Sequence, residues 1–297
     1  MSQKVEGKES NSLTVVVAAK YSLENMESLQ SWIPKALRSG FAVRVAIDCP
    51  DLRYDIEVLD NLRNQDIEIL KVGNFGGPGK SRNMLLGDFK SDYVVFWDAD
   101  DIPDIHAVSK MLDSHYGDKR RFIVGQWQQR QFGTIKYLSQ DSSLSKIAFS
   151  PGNWRILYPT SNIEGKRFPE IWMGEDQVFL FQSGFFRSTP IWSSQRIYTY
   201  KTGIEGQLTG QDIHIKDLQV AVRSIKDLMK NCEKSEVTTG NIIMMKLLFT
   251  YWRRETNSTL RQKLLFMKVI FEKPRFTARI IFAMVTCFRF SILRKNF

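Results

Sequence analysis

Ser91-Asp92-Tyr93-Val94-Val95-Phe96-Trp97-Asp98-Ala99-Asp100-Asp101-Ile102-Pro103 is the stretch from which the fold of this 297-residue chain can be read. The run from Tyr93 to Trp97 is apolar without alternation, the pattern of a strand buried on both faces. It ends in three carboxylates. Side chains two apart on extended backbone point the same way, so Asp98 and Asp100 share a face. In an open α/β sheet, ligands collect beyond the carboxyl ends of the strands, where these acids fall. Two carboxylates that close repel one another and call for a cation, and an all-oxygen environment suits Mg2+ or Mn2+. The plainer alternative is an acidic strand-to-helix turn, with Asp101 near the helix start and Pro103 in its first turn.

Upstream, strands and helices alternate. Leu13 to Ala19 is a β-branched run typical of a first buried strand, and Ser22 to Leu37 has helical spacing at Leu23, Met26, Leu29 and Ile33. A second strand, Phe41 to Ile47, stops at Asp48-Cys49-Pro50-Asp51. A helix around Ile56–Leu62, a strand Ile67 to Val72, and a glycine-rich loop leading into a helix near Lys80 follow. This order predicts an α/β fold: a mostly parallel sheet with helices on both faces. Beyond Asp104 the pattern loosens. A helix at Ile105–Leu112 and an apolar Phe122-Ile123-Val124 precede a long polar and aromatic stretch with turn signals at Gly133 and Pro151-Gly152. Helical spacing resumes from Gly174 to Phe181, a short strand is expected at Arg196–Tyr200, a loop at Gly203–Gly210, and a helix from Asp212 to Met229.

The net charge of +10 is unevenly spread. Twelve of the 42 bases but two of the 32 acids lie from Asn241 onward, so the first 240 residues carry 30 of each. Three widely spaced cysteines, Cys49, Cys232 and Cys287, suggest a reducing compartment without a disulfide framework. Residues 1–12 read as a polar, disordered leader without the apolar core of a signal peptide, and the sequence shows no apolar run long enough to span a membrane.

Two further segments carry chemistry. Asp48 lies at the sheet edge that holds Asp98 and Asp100, as a turn residue or as a carboxylate for a nucleobase or ribose. The loop Gly73 to Gly79, with Lys80-Ser81, approaches a phosphate-binding P-loop, but that motif needs Gly five positions before Gly79, where this chain has Asn74. A P-loop-like NTPase or kinase is therefore an alternative reading. A glycine-rich loop at a helix N-terminus still suits a diphosphate, with Arg82 as a fixed positive fork.

Gly77-Pro78-Gly79-Lys80-Ser81-Arg82-Asn83, then Tyr93 to Asp101, then Trp172-Met173-Gly174-Glu175-Asp176 together resemble the family 2 glycosyltransferases of the GT-A fold, over roughly Leu13 to Thr209. The resemblance implies an inverting, metal-dependent transfer from a nucleotide-sugar donor, a UDP-sugar by expectation, to a glycan or lipid-linked acceptor in bacterial surface-polysaccharide synthesis. Asp48, Arg82, Lys80 and Asp98 would then contact the donor, and Asp100 would hold Mn2+ or Mg2+ on its diphosphate. Asp176 would be the general base, supported by Glu175, and neighbouring Trp172 would meet the acceptor. A non-catalytic nucleotide-sugar or glycan-binding protein of this fold is a further alternative. The chain departs from the family in having Ala18-Ala19-Lys20-Tyr21 where a Pro-containing turn is common. It also has no His between Tyr198 and Thr209 to serve as a further metal ligand; His214, just beyond, reads as structural.

The expected domains are a leader at 1–12, the transferase domain at 13–235 and a basic amphipathic extension at 236–297. Ile242, Met245, Phe249 and Trp252 share a helical face, as do Leu260, Leu264, Met267 and Phe271, and again Phe276, Ile280, Ala283, Cys287 and Phe290. Such helices suit the anionic inner face of a cell membrane, placing the protein in the cytoplasm or at that surface. The alternative is packing on the core with a solvated basic face; no motif for nucleic acid is present.

Overall fold

The computed structural model describes residues 13–115, 119–203, 214–255, 259 and 261–263. The leader, most of the Gly203–Gly210 loop, Asp212, most of the second predicted C-terminal helix and all of the third lie outside these residues.

The N-terminal half is the expected alternation. Strand β1 (Leu13–Lys20), helix α1 (Leu23–Arg38), β2 (Ala42–Asp48), α2 (Ile56–Arg63), β3 (Ile69–Gly73), α3 (Pro78–Asn83) and β4 (Tyr93–Asp98) follow in order. β1 pairs in parallel with β2 on one side and β4 on the other, and β3 adds beyond β2. The order β3-β2-β1-β4 reverses direction between β1 and β4, which opens a crevice at the carboxyl ends of these strands. Both faces of β1 and β4 are covered, so Val15, Val16, Val94, Val95 and Phe96 are almost entirely inaccessible.

The second half reverses the strand sense. Short β5 (Ile102–Pro103), α4 (Ile105–Ser114), β6 (Ile123–Gln131), β7 (Thr134–Leu138), α5 (Leu144–Phe149), β8 (Ile156–Pro159) and α6 (Thr160–Ile163) precede α7 (Glu175–Gln182) and β9 (Ile191–Thr202). β8 runs antiparallel between β4 and β6, and β9 lies parallel to β6 and antiparallel to β5. Several of these differ from the sequence expectation. β6 continues beyond Val124 through the polar-rich Gln126-Trp127-Gln128-Gln129-Arg130-Gln131, and β7 is a short strand whose apolar Ile135, Tyr137 and Leu138 are all exposed. The helix after the carboxylates is capped by Asp104, whose side chain accepts from the Ala107 N–H at 2.9 Å. Asp101 is no cap, and Pro103 pairs in β5 instead of opening the helix.

Helices α8 (Asp217–Leu228) and α9 (Lys234–Arg254) complete the described chain. α9 is the first helix of the basic extension, and it is built into the same core as α7 and α8. Ile243, Met244, Leu247, Leu248 and Tyr251 are its buried face. The stripe expected from the sequence, Ile242, Met245, Phe249 and Trp252, is half-buried. Adjacent apolar pairs give this helix two candidate faces, and tertiary packing selects between them.

Candidate active site

The carboxyl ends of β1, β2 and β4 form the floor of a cleft of about 1190 Å³, reached by Ala18, Lys20, Asp48, Asp98 and Asp100. Asp48 is nearly buried, and its carboxylate accepts the backbone N–H groups of Phe75 (2.8 Å), Gly76 (3.3 Å) and Gly77 (2.9 Å). It holds the glycine-rich loop against the sheet edge, and Arg82 and Asp98, also expected at the donor, line the same cleft. Gly77 has φ of +119°, and a Cβ there would lie 3.0 Å from the Trp172 ring, so both conformation and space require glycine.

α3 begins at Pro78 and turns Arg82 inward. Its Nη2 donates to Asp98 Oδ1 and its Nη1 to Glu175 Oε1, each at 2.8 Å. Glycine at position 79 permits this approach, since a Cβ would stand 2.5 Å from the Pro169 carbonyl and 3.5 Å from Glu175 Cβ. Burial disfavours the Arg82 charge, but Asp98 and Glu175 outweigh it and hold the guanidinium above its ordinary range. Arg82 was expected at the nucleotide; its terminal nitrogens are instead engaged by two carboxylates. Lys80, expected at the donor as well, has an acidic partner of its own. Its ammonium lies 3.5 Å from Glu170, its side chain is 44% exposed, and the residue is not among those lining the cleft. A lysine paired with Glu170, together with Asn74 where the motif needs Gly, weighs against a P-loop, whose lysine reaches the phosphates.

Glu175 and Asp176 open α7, just after Gly174 at φ of +84°. Burial, reinforced by Asp176 and opposed by Arg82, pushes Glu175 up to about 7. Burial raises Asp176 as well, against the pull of Arg82 and of Lys246. A carboxylate raised in this way is a better proton acceptor at neutral pH than an exposed one. Lys246 belongs to α9 and lines the cleft with Asp176, as do Thr250, Arg253 and Arg254. Burial lowers the Lys246 ammonium, and Asp176 counteracts it. None of these was named from the sequence, because position 246 lies far along the chain from every motif and only the packing of α9 brings it to Asp176.

Trp172 lines the cleft between the glycine-rich loop and His214, whose ring stacks on it at 4.5 Å with planes 5° apart. The Trp172 backbone N–H donates to Asp217 Oδ2 at 2.8 Å. Trp127, Trp154 and Tyr200 form a separate aromatic wall on the side of the sheet's second half.

Among the described residues, no three acidic, His or Cys side chains converge on one point. Asp98 is committed to Arg82, while Asp100 reaches the cleft. This donor set fits a hard cation held by one protein carboxylate, with diphosphate and water completing the shell, the arrangement Mg2+ and Mn2+ accept.

Comparison with known proteins agrees with this geometry. The model of glycosyl transferase family 2 matches residues 38–188, half of the chain, and the chain belongs to that family. It is 25% identical over 240 residues to the poly(ribitol-phosphate) beta-N-acetylglucosaminyltransferase TarS of Staphylococcus aureus, strains Mu50 and MW2. The match takes in 75% of this chain and spans about two-fifths of the length of those relatives (41%). A crystal structure of S. aureus TarS 1–349 with UDP-GlcNAc superposes with a TM-score of 0.65 at 19% identity, over 87% of this chain and 80% of that one. The mannosyltransferase PcManGT of Pyrobaculum calidifontis, in complex with GDP-Man and Mn2+, gives a TM-score of 0.52 at 13% identity, over 91% and 83%. The fold is thus of the GT-A type.

Proposed function

We propose that this chain moves a hexose or N-acetylhexosamine from a UDP-sugar to a hydroxyl of a phosphate-containing surface glycan, with inversion at the anomeric carbon. The observation that carries the reading is the placement of Asp176 in one cleft with Asp98 and Asp100, joined to Asp98 through Glu175 and Arg82. The Asp48 clamp and Gly77 shape the donor side, and Asp98 faces the nucleoside. Asp176 takes the acceptor hydroxyl proton, and the oxygen attacks the anomeric carbon from the side opposite the diphosphate. The bond from that carbon to the phosphate oxygen breaks, and its electron pair leaves on UDP. Asp100 would hold Mn2+ or Mg2+, which supplies stabilisation of the departing diphosphate charge. Arg82 and Glu175 keep the two acidic ends of the cleft in fixed relation.

Two facts support the donor and acceptor classes. The TarS relatives are named for poly(ribitol-phosphate) and N-acetylglucosamine, and one neighbour was solved with UDP-GlcNAc. The cleft wall contributed by α9 is basic, with Lys246, Arg253 and Arg254, which suits a polyanionic acceptor. On this reading the extension's first helix belongs with the domain at 13–235 in forming the site. The bases beyond Lys263 meet an anionic membrane surface at the inner face of the cell, and loss of binding to anionic vesicles on deleting residues 264–297 tests that assignment. No helix among the described residues is long and apolar enough to cross a membrane.

The deciding experiment incubates the purified chain with a panel of UDP-sugars and a phosphate-containing glycan, and measures UDP release and product anomer. Transfer that needs Mn2+ or Mg2+ and yields the inverted anomer is expected. Hydrolysis of nucleoside triphosphates in preference to UDP-sugars, or binding without turnover on every acceptor offered, would overturn the proposal.

A further inference from the structure

Asp101 is the carboxylate of the Asp98–Asp101 turn that the mechanism leaves unused. It is fully buried. Its Oδ1 accepts the backbone N–H of Lys201 at 2.7 Å, and its Oδ2 accepts from the Tyr198 hydroxyl at 2.9 Å. The same hydroxyl accepts the backbone N–H of Asp98 at 3.1 Å. A hydroxyl that gives its one proton to Asp101 and receives one from Asp98 is fixed in rotation. The Tyr198 ring is fixed too, stacked on Trp154 at 4.6 Å with planes 8° apart. Pairing of Ile102 with Thr199 and Pro103 with Tyr198 holds the chain just past the turn against the same strand.

The turn bearing Asp98 and Asp100 is therefore fastened to β9 at both ends, by a hydrogen-bonded path from one peptide N–H through a phenol to a buried carboxylate. We propose that Asp101 and Tyr198 are positioning residues that hold this turn so that Asp100 faces the divalent cation on the donor diphosphate. The inference rests on the metal reading above. Residues that orient a metal ligand without touching the metal typically change metal affinity when altered. A carboxylate kept only for packing would change folding stability alone.

The test uses the full chain with Tyr198→Phe, which keeps the ring and its stacking and removes one hydroxyl, and with Asp101→Asn. Mn2+ binding is measured directly, from the electron paramagnetic resonance signal of the free ion in the presence of UDP. Thermal unfolding and the dependence of kcat and donor KM on Mn2+ are recorded alongside. The expected result is a Mn2+ dissociation constant raised about 10- to 100-fold in both variants, with kcat at saturating Mn2+ much less affected. Variants that bind Mn2+ within about twofold of the wild type while melting earlier would overturn the proposal. Should Asp101→Asn fail to fold, Tyr198→Phe decides alone. A wild type that binds no Mn2+ with UDP would overturn the metal reading and this inference with it. That outcome is distinct, because in the first the wild type still binds.

Discussion

Nη1 of Arg82 donates to Glu175 Oε1 at 2.8 Å, and each side chain keeps under a tenth of its surface exposed. The bond joins α3 to α7 beneath the cleft, and the other arm of the guanidinium ties both to the end of β4 through Asp98. One cation thereby serves three elements. Arg82→Met strands two carboxylates and is expected to cost about 3–5 kcal/mol, the range for breaking a buried ion pair from one side. Urea unfolding measures it, and adding Glu175→Gln should return part of the loss. A cost below about 1 kcal/mol would mean that water already screens the pair.

Asp176→Asn keeps size and loses the proton acceptor. Turnover should fall about 10²- to 10⁴-fold, the usual worth of a positioned general base. UDP binding by calorimetry should stay near the wild-type value, since the donor floor is built from other strands. Unchanged turnover would remove Asp176 from the chemistry.

The pH profile carries the sign of the Asp176 environment. Burial holds this acid above its ordinary range, and it must be ionised to act, so transfer is expected to decline as pH falls through that raised value. Lys246 pulls in the opposite direction by favouring the ionised form. Lys246→Met should therefore move the acid limb to higher pH, while Lys246→Arg should largely preserve it. A limb that stays put in the Met variant would show the two groups to be electrostatically separate.

Gly77→Ala meets two obstacles at once, a positive φ and the Trp172 ring. A cost of about 1–3 kcal/mol and a raised donor KM are expected. Trp172→Ala in the same chain relieves the contact and leaves the backbone strain, so it should recover only part of the stability.

Arg253→Ala and Arg254→Ala are expected to raise KM for a phosphate-containing acceptor about tenfold each, as befits a lost hydrogen bond to a charged group, with donor KM unaffected. The effect should shrink as salt is added. Equal effects on an uncharged acceptor would assign these arginines to the fold.

What could be read from the sequence follows physical lines. β1, β2 and β4 are buried on both faces and announce themselves as apolar runs. Gly77 and the acids at positions 98, 100, 175 and 176 sit at strand ends and helix starts, where local pattern and chemistry coincide. The polar run of β6 beyond Val124 and the short, exposed β7 escaped because their pairing is with each other and with β9, which no local window contains. The pairing of Lys80 with Glu170 was not legible because a glycine-rich loop does not reveal which way the following helix is rotated. The buried face of α9 was ambiguous because Ile242-Ile243 and Met244-Met245 offer apolar side chains to either stripe.

α9 places Ile243, Leu247 and Tyr251 in the core, and Lys246, Thr250 and Arg253 on the cleft. Core packing and the cleft wall are thereby carried on adjacent stripes of one helix. On the proposed reading, substitutions on the cleft stripe would retune the acceptor while leaving the buried stripe intact, so acceptor preference would drift faster than the fold that supports it.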